Sequence, residues 1–203
     1  LNMTRGIAAR VFGRLVTAFG SAEGVLRAKV RDQQAVDGVG EAVAREIVDG
    51  ADGAAAETEL ELAARVGARL LTIGSAEYPE LLARIYDPPV VLYMLGELSP
   101  DEQTIAIVGT RRPTYYGKQQ ADALAGTLAT AGWTITAGLA RGVDSCAHEG
   151  ALNAGGRTVA VLGSGLLKIY PRSNKALADR IAESGAVLSE FPMTTAPDPW
   201  NFP

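Results

Sequence analysis

Four short apolar runs punctuate the second half of the chain: TIAIVG, TITAG, TVAVLG and AVLSEF, beginning near residues 105, 134, 159 and 186. Each is rich in aliphatic or β-branched residues, and the first three end in Gly, the pattern of strands buried in a parallel sheet. Helical periodicity fills the intervals, over residues 117–131, 143–154 and 174–184. Strand and helix alternating at this period predict right-handed βαβ units. The expected fold class is therefore α/β, a Rossmann-like parallel sheet with helices on both faces.

The first third is patterned differently. Ile7, Val11, Leu15 and Phe19 recur at roughly helical spacing, and Gly20-Ser21 supplies a stop followed by an N-cap. A second short helix should carry Val25 and Leu26. A third is expected after the turn Asp37-Gly38-Val39-Gly40, with Val43, Ile47 and Val48 on its inner face, and a fourth from about Ala55 to Val66. Without any strand signal, residues 1–67 predict a small all-α domain, SAM-like or helix–hairpin–helix-like. In the connector, ARLLTIG and PPVVLYMLG read as strands and YPELLARI as a helix, so a second domain is expected over 68–203.

Composition removes several classes. The chain has 203 residues, 47% apolar and 21% charged, which excludes wholesale disorder. One Cys (Cys146) and one His (His148) exclude a disulfide framework and a zinc site of Cys and His alone. The start, LNMTRGIAARVFG, lacks the apolar core and cleavage site of a secretory signal, and Leu1-Asn2 reads as a cloning remnant ahead of Met3. Residues 123–140 are uncharged, but four Thr, three Gly and the break at Ala131-Gly132-Trp133 read as a helix then a strand. A soluble, cytoplasmic protein without a membrane partner is expected.

Net charge is −4, which taken alone argues against nucleic acid. Its distribution reverses that. Residues 1–72 are net −1, 73–104 net −5 and 105–203 net +2. In an open parallel sheet the loops leaving the strands' C-terminal ends share one edge, where ligands bind. Those loops, 109–118, 138–144 and 163–175, hold Arg111, Arg112, Lys118, Arg141, Lys168, Arg172 and Lys175, seven of the nine basic residues in 105–203, against Asp144 alone. A basic edge on an acidic chain points to a polyanion; the plainer account is that such loops are polar by default. Gly109-Thr110-Arg111-Arg112-Pro113 can approach a phosphate closely, although it is neither a dinucleotide fingerprint nor a P-loop. Tyr115, Tyr116 and Tyr170 stand among the cations and suit either stacked bases or packing beneath the loops.

Catalytic signals are weak. Ser145, Cys146 and His148 are close in sequence but face different sides of a helix. A buried Cys and a helix-surface or capping His is the expected arrangement, and for Asp144 a cap or a partner for a loop Arg. No catalytic residue, metal ligand or cofactor is expected.

IAIVGTRRPTYYG, ITAGLARGVDSCAHEGALNAGGRTVAVLGSGLLKIYPRSN and GAVLSEFPMTTAPDPWNFP together resemble the bacterial DNA-processing protein A family (DprA, also called Smf), with several blocks in the right order through roughly 60–203. The resemblance implies a recombination mediator and no enzyme: a protein that binds incoming single-stranded DNA during natural transformation, protects it and loads the RecA recombinase. It implies a DNA pocket lined by Gly109, Thr110 and Arg111, and completed by Gly163, Lys168, Tyr170, Arg172 and Asn174. It implies partners too: single-stranded DNA and RecA, with single-strand binding protein a further candidate, and a homodimer in the full-length protein. Family chains continue past Asn201-Phe202-Pro203, so a C-terminal truncation is expected. The alternatives are a nucleotide-processing enzyme of similar fold, which would carry a Pro-Gly-Gly-x-Gly-Thr block where this chain has Gly163-Ser164-Gly165-Leu166-Leu167, or a small-nucleotide sensor.

Overall fold

The computed structural model describes residues 1–202 other than 5, 8, 52, 100 and 101. The chain divides into two compact units that interleave in sequence, one of residues 1–62 with 72–91, the other of 63–71 with 92 onward. A single cut at 67/68 is thus simpler than the division observed. Among the described residues no helix is long and apolar enough to cross a membrane.

The first unit is built from short helices: α1 (Ala9–Phe19), α2 (Ala22–Arg27), α3 (Val30–Gln34), α4 (Glu41–Asp49) and most of α5 (Ala54–Arg65). Its core is Leu15, Val25, Val39, Ala44 and Ile47. Ser21 caps α2 as expected, its hydroxyl accepting from the Gly24 amide at 3.0 Å. Val48 departs from expectation. It is 40% exposed, because Ala44 and Ile47 take the buried face of α4 and Val48 lies one residue further round. Helix α3 has no apolar stripe to announce it. Its buried residue is Gln33, which donates to the carbonyl of Val25 at 2.8 Å, at the end of α2. Val39 of the Asp37–Gly40 turn is in the core, and Arg45 pairs with Glu41 on the surface of α4.

The second unit is a six-stranded sheet flanked by helices, of the Rossmann-like α/β class. Its elements are β1 (Arg69–Thr72), β2 (Val91–Gly96), β3 (Thr104–Ala106), α7 (Tyr115–Thr130), β4 (Thr134–Ala137), α8 (Val143–Asn153), β5 (Thr158–Leu162), α9 (Lys175–Ser184) and β6 (Ala186–Ser189); α6 (Glu80–Ala83), between β1 and β2 in sequence, belongs to the first unit. Strand order is β1-β2-β6-β5-β4-β3. The four strands of the repeat pair in parallel, with Ile105 opposite Ile135, Thr136 opposite Val159 and Val161 opposite Leu188; β2 runs antiparallel to β6. Because β3 to β6 follow one another across the sheet, right-handed crossovers stack α7, α8 and α9 side by side. Ala125, Ala129, Ala147 and Ala151 let α7 and α8 close over Ile135. Val161, on the strand face turned from α8, is 48% exposed.

At the other end of the strands Arg157 acts as a tie. Its Nε donates to Glu102 at 2.5 Å, and its other nitrogens donate to the carbonyls of Ser184 and Glu97 at 2.9 and 2.7 Å. The Glu102 side chain is only 8% exposed. Arg157→Ala leaves that carboxylate the Thr134 hydroxyl but no matching charge, and should cost on the order of 1–3 kcal/mol of stability. Arg180→Ala, which breaks an exposed pair with Glu149, should stay within about 0.5 kcal/mol. Urea unfolding of the two variants checks this, and equal losses would refute the tie.

Candidate nucleic-acid interface

Three loops meet at the C-terminal edge of the parallel strands, and their backbones are held by the chain's own polar groups. The Asp144 carboxylate accepts from the amides of Gly138 and Ala140 at 3.0 and 3.3 Å, so it caps the β4–α8 loop and pairs with no loop Arg. Ser145 donates its hydroxyl to the Ala140 carbonyl at 2.6 Å. Asn174 donates to both the Leu139 carbonyl and Ser145 Oγ at 2.8 Å, reaching across from the next loop. Thr110 binds its own loop and the next, its hydroxyl accepting from the Arg112 amide at 3.1 Å and its carbonyl from the amide of Val143, at the start of α8, at 3.2 Å. Gly142 sits at φ +90°, and a Cβ there would collide with the Thr110 carbonyl, so only glycine lets the two loops lie this close. Gly109 lies against Val143 in the same junction.

On this frame is a pocket of about 270 Å³ lined by Arg111, Arg112, Arg141, Tyr170 and Phe202, together with Gly138, Ala140 and Pro171. The Arg111 guanidinium stands over the Phe202 ring, 5.6 Å from its centroid. Tyr170 and Phe202 are 6.1 Å apart between centroids and tilted by 54°. Phe202 arrives by way of the turn Pro199–Asn201, where Asn201 donates to the Gly163 carbonyl at 3.1 Å. A Cβ on Gly163 would lie 2.7 Å from both the Phe202 ring and the Asn201 carbonyl. Gly163 thus acts as the seat for this segment. Sequence reasoning assigns no role to Phe202; the one signal for it is the Asn201-Phe202-Pro203 block, of which Pro203 lies outside the described residues.

The other expected site residues divide. Lys168, Arg172 and Lys175 border a second, larger groove of about 920 Å³ beside the first, and Tyr170 lines both. Lys118, in the first turns of α7, lines neither, and nor do the exposed Tyr115 and Tyr116. Charge pairing separates the cations more sharply. Among the described residues Arg111, Arg112, Lys118, Arg141, Lys168 and Arg172 form no ion pair, whereas Arg157, Lys175 and Arg180 are matched to Glu102, Asp179 and Glu149. Six cations on one sheet edge are therefore held apart from carboxylates.

The Cys–His expectation is reversed. Cys146 is only half-buried, with burial pushing its thiol pKa up against the pull of Lys118, while His148 is fully buried. Thr158 gives its hydroxyl proton to the Ile135 carbonyl at 2.6 Å, so its oxygen accepts from His148 Nδ1–H at 2.7 Å. Among the described residues Nε2 has no partner, and burial lowers the imidazole pKa to about 4, opposed by the Ala137 carbonyl. His148 faces inward against β5 because it shares the buried stripe of α8 with Asp144, Ala147 and Ala151 at helical spacing.

These features define a class: a Rossmann-like α/β protein that gathers unpaired cations and aromatic rings at one sheet edge. Residues 69–203 match the model of the DNA recombination-mediator protein A family, and the chain belongs to that family. The DNA processing protein DprA of Bacillus subtilis is 43% identical over 139 residues, which cover 68% of this chain and 47% of that protein. The fold is similar to that of DNA processing protein A (DprA) from Streptococcus pneumoniae, with a TM-score of 0.80 and 28% identity over 98% of this chain and 69% of that one. DNA processing protein A of Helicobacter pylori, whose structure is described as revealing a unique single-stranded DNA binding mode, gives a TM-score of 0.58 and 35% identity over 66% of this chain and 61% of that one. The chain spans about half the length of the curated relatives it matches.

Proposed function

We propose that this chain is the strand-binding part of a recombination mediator and holds single-stranded DNA at the C-terminal edge of its sheet. The observation that carries the reading is the set of five unpaired cations, Arg111, Arg112, Arg141, Lys168 and Arg172, that line cavities shared with Tyr170, together with the Arg111–Phe202 contact. Phosphates would be met by Arg111, Arg112 and Arg141, and a base by the half-exposed Tyr170 ring. The pocket lining includes no carboxylate, and nearby Asp144 is spent on two amides, which favours binding without hydrolysis. The family supplies the finer parts of the proposal: protection of incoming DNA, loading of RecA, single-strand binding protein as a further partner, and a homodimer in the cytoplasm.

The test compares single-strand and duplex affinity at matched salt. A duplex hides base faces, so a stacking contribution of roughly 1–3 kcal/mol per base is open only to a single strand. Oligo-dT should bind more tightly than duplex, and Tyr170→Ala should narrow that gap. A duplex affinity equal to that for oligo-dT, or a ratio that ignores Tyr170→Ala, would remove the stacking half of the proposal.

A further inference from the structure

One residue in the frame of the pocket has a backbone conformation that its own side chain disfavours. Leu139, fully buried just after β4, sits at φ +59°, and among the described residues every other positive φ belongs to glycine. In that region Cβ crowds the following carbonyl, and a leucine has no polar group with which to compensate locally. Such a conformation persists only where its surroundings fix it. Here side chains do so. Asp144 takes the amides of Gly138 and Ala140, Ser145 donates to the Ala140 carbonyl, and the Leu139 carbonyl accepts from Asn174. Asp144 and Ser145 belong to α8, into which this loop leads, whereas Asn174 comes from the loop after β5. Both protons of the Asn174 amide nitrogen are spent, on Leu139 and on Ser145 Oγ, and its oxygen accepts from the Ser173 hydroxyl at 3.2 Å. Asn174 lines neither cavity. Arg141, two residues beyond Leu139, lines the arginine pocket, and Gly142 after it lies against the Thr110 carbonyl.

We infer that Asn174 is a positioning residue: by holding Leu139 in its left-handed turn it fixes where Arg141 enters the pocket, and it makes no contact with DNA itself. The inference rests on the strand-binding reading of the pocket, and gives a neutral side chain on one loop control of a charged contact on another. Without Asn174, Leu139 relaxes toward negative φ, and a change in that dihedral redirects the chain that follows. Gly138 and Gly142, on either side, resist such a change least. Arg141 then leaves the pocket, while Arg111 and Arg112 stay in place on the loop after β3. A direct phosphate contact by Asn174 would need a free donor, and it has none left.

The experiment measures oligo-dT affinity by fluorescence anisotropy over a range of salt concentrations, for the unchanged protein, Asn174→Ala, Arg141→Ala and the double variant. Asn174→Ala should weaken binding by about five- to tenfold. It should also lower the slope of log affinity against log salt by about 0.7, as though a phosphate contact had gone, although no charge has been removed. Arg141→Ala should do the same, and the double variant should bind no more weakly than Arg141→Ala alone. A loss with the slope unchanged, or two losses that multiply, would make Asn174 a direct contact and overturn the inference. No loss would overturn it by showing the loop seated without the amide. Hydrogen exchange isolates the loop from the fold: residues 138–142 should exchange faster in Asn174→Ala while β4 and β5 keep their protection. Faster exchange throughout the sheet would reduce Asn174 to a stabilising role and overturn the inference as well. Unchanged affinity in Arg141→Ala is a separate failure, that of the strand-binding reading at this loop, and takes the inference with it.

Discussion

Replacing Arg111, Arg112 and Arg141 together by alanine should lower affinity for oligo-dT by on the order of 10³-fold, about tenfold for each phosphate deprived of its guanidinium. The salt dependence should change with it. Each phosphate neutralised on a single strand contributes about 0.7 to the slope of log affinity against log salt, so the slope should fall by about 2. All three side chains line the same small pocket and none is drawn off by a carboxylate. The backbone beneath them is braced by Asp144, Ser145 and Asn174, so the substitutions remove charge and leave the frame. Arg180→Ala is the proper control, since Arg180 is exposed, paired with Glu149 and lines neither cavity. Arg157 is unsuitable because its loss disturbs Glu102 and two carbonyls. A loss for Arg180→Ala matching a third of the triple variant's would mean diffuse attraction with no defined pocket.

The second large effect is on stability below neutrality. His148 is fully buried, and its pKa falls from the ordinary 6.5 to about 4. Between those two values the unfolded chain takes up a proton that the folded chain refuses. Stability should therefore drop as pH falls from 6.5, and this contribution should level off below pH 4, with a total of about 3 kcal/mol. That is a large share of the 5–15 kcal/mol typical of a domain. Carboxylates also titrate in this range, so the informative quantity is the difference between the unchanged protein and His148→Gln, which keeps a donor for Thr158. Urea midpoints at several pH values should show a steeper acid decline for the unchanged protein. Parallel declines would show that His148 titrates freely in the folded state.

The parallel strands are legible in the sequence because a strand covered by neighbours must be a short unbroken apolar run, and the glycines after β3, β4 and β5 mark where each leaves the sheet. The basic edge is legible for the same reason, since topology alone puts those loops together. Less visible is anything that depends on what one loop does to another. Asn174 reads as a DNA contact by family resemblance, yet its amide is occupied in bracing Leu139 and Ser145. Phe202 lies 39 positions from Gly163 in the chain, and only the missing Cβ reveals that they touch. The burial of His148 is not legible either, because its one bond is to a hydroxyl from the strand below, ten residues on in the chain. Pairing also escapes a linear reading: Lys175 and Arg172 look alike in sequence, but only Lys175 has an acid one helical turn away, Asp179.

The seating of Phe202 has a kinetic side. Within the 198–202 turn the amides of Trp200 and Asn201 bond back to Asp198, and the Asn201 side chain adds one long-range bond, to the Gly163 carbonyl. So small a cluster of bonds opens at a fraction of the free energy needed to unfold the sheet. While it is open the pocket lacks one wall and Arg111 stands without its aromatic support. The apparent affinity for any occupant is therefore the intrinsic affinity scaled by the fraction of time the turn is seated. A change that only shortens that dwell, far from any charge, weakens binding as surely as the removal of a guanidinium, and leaves the salt dependence untouched.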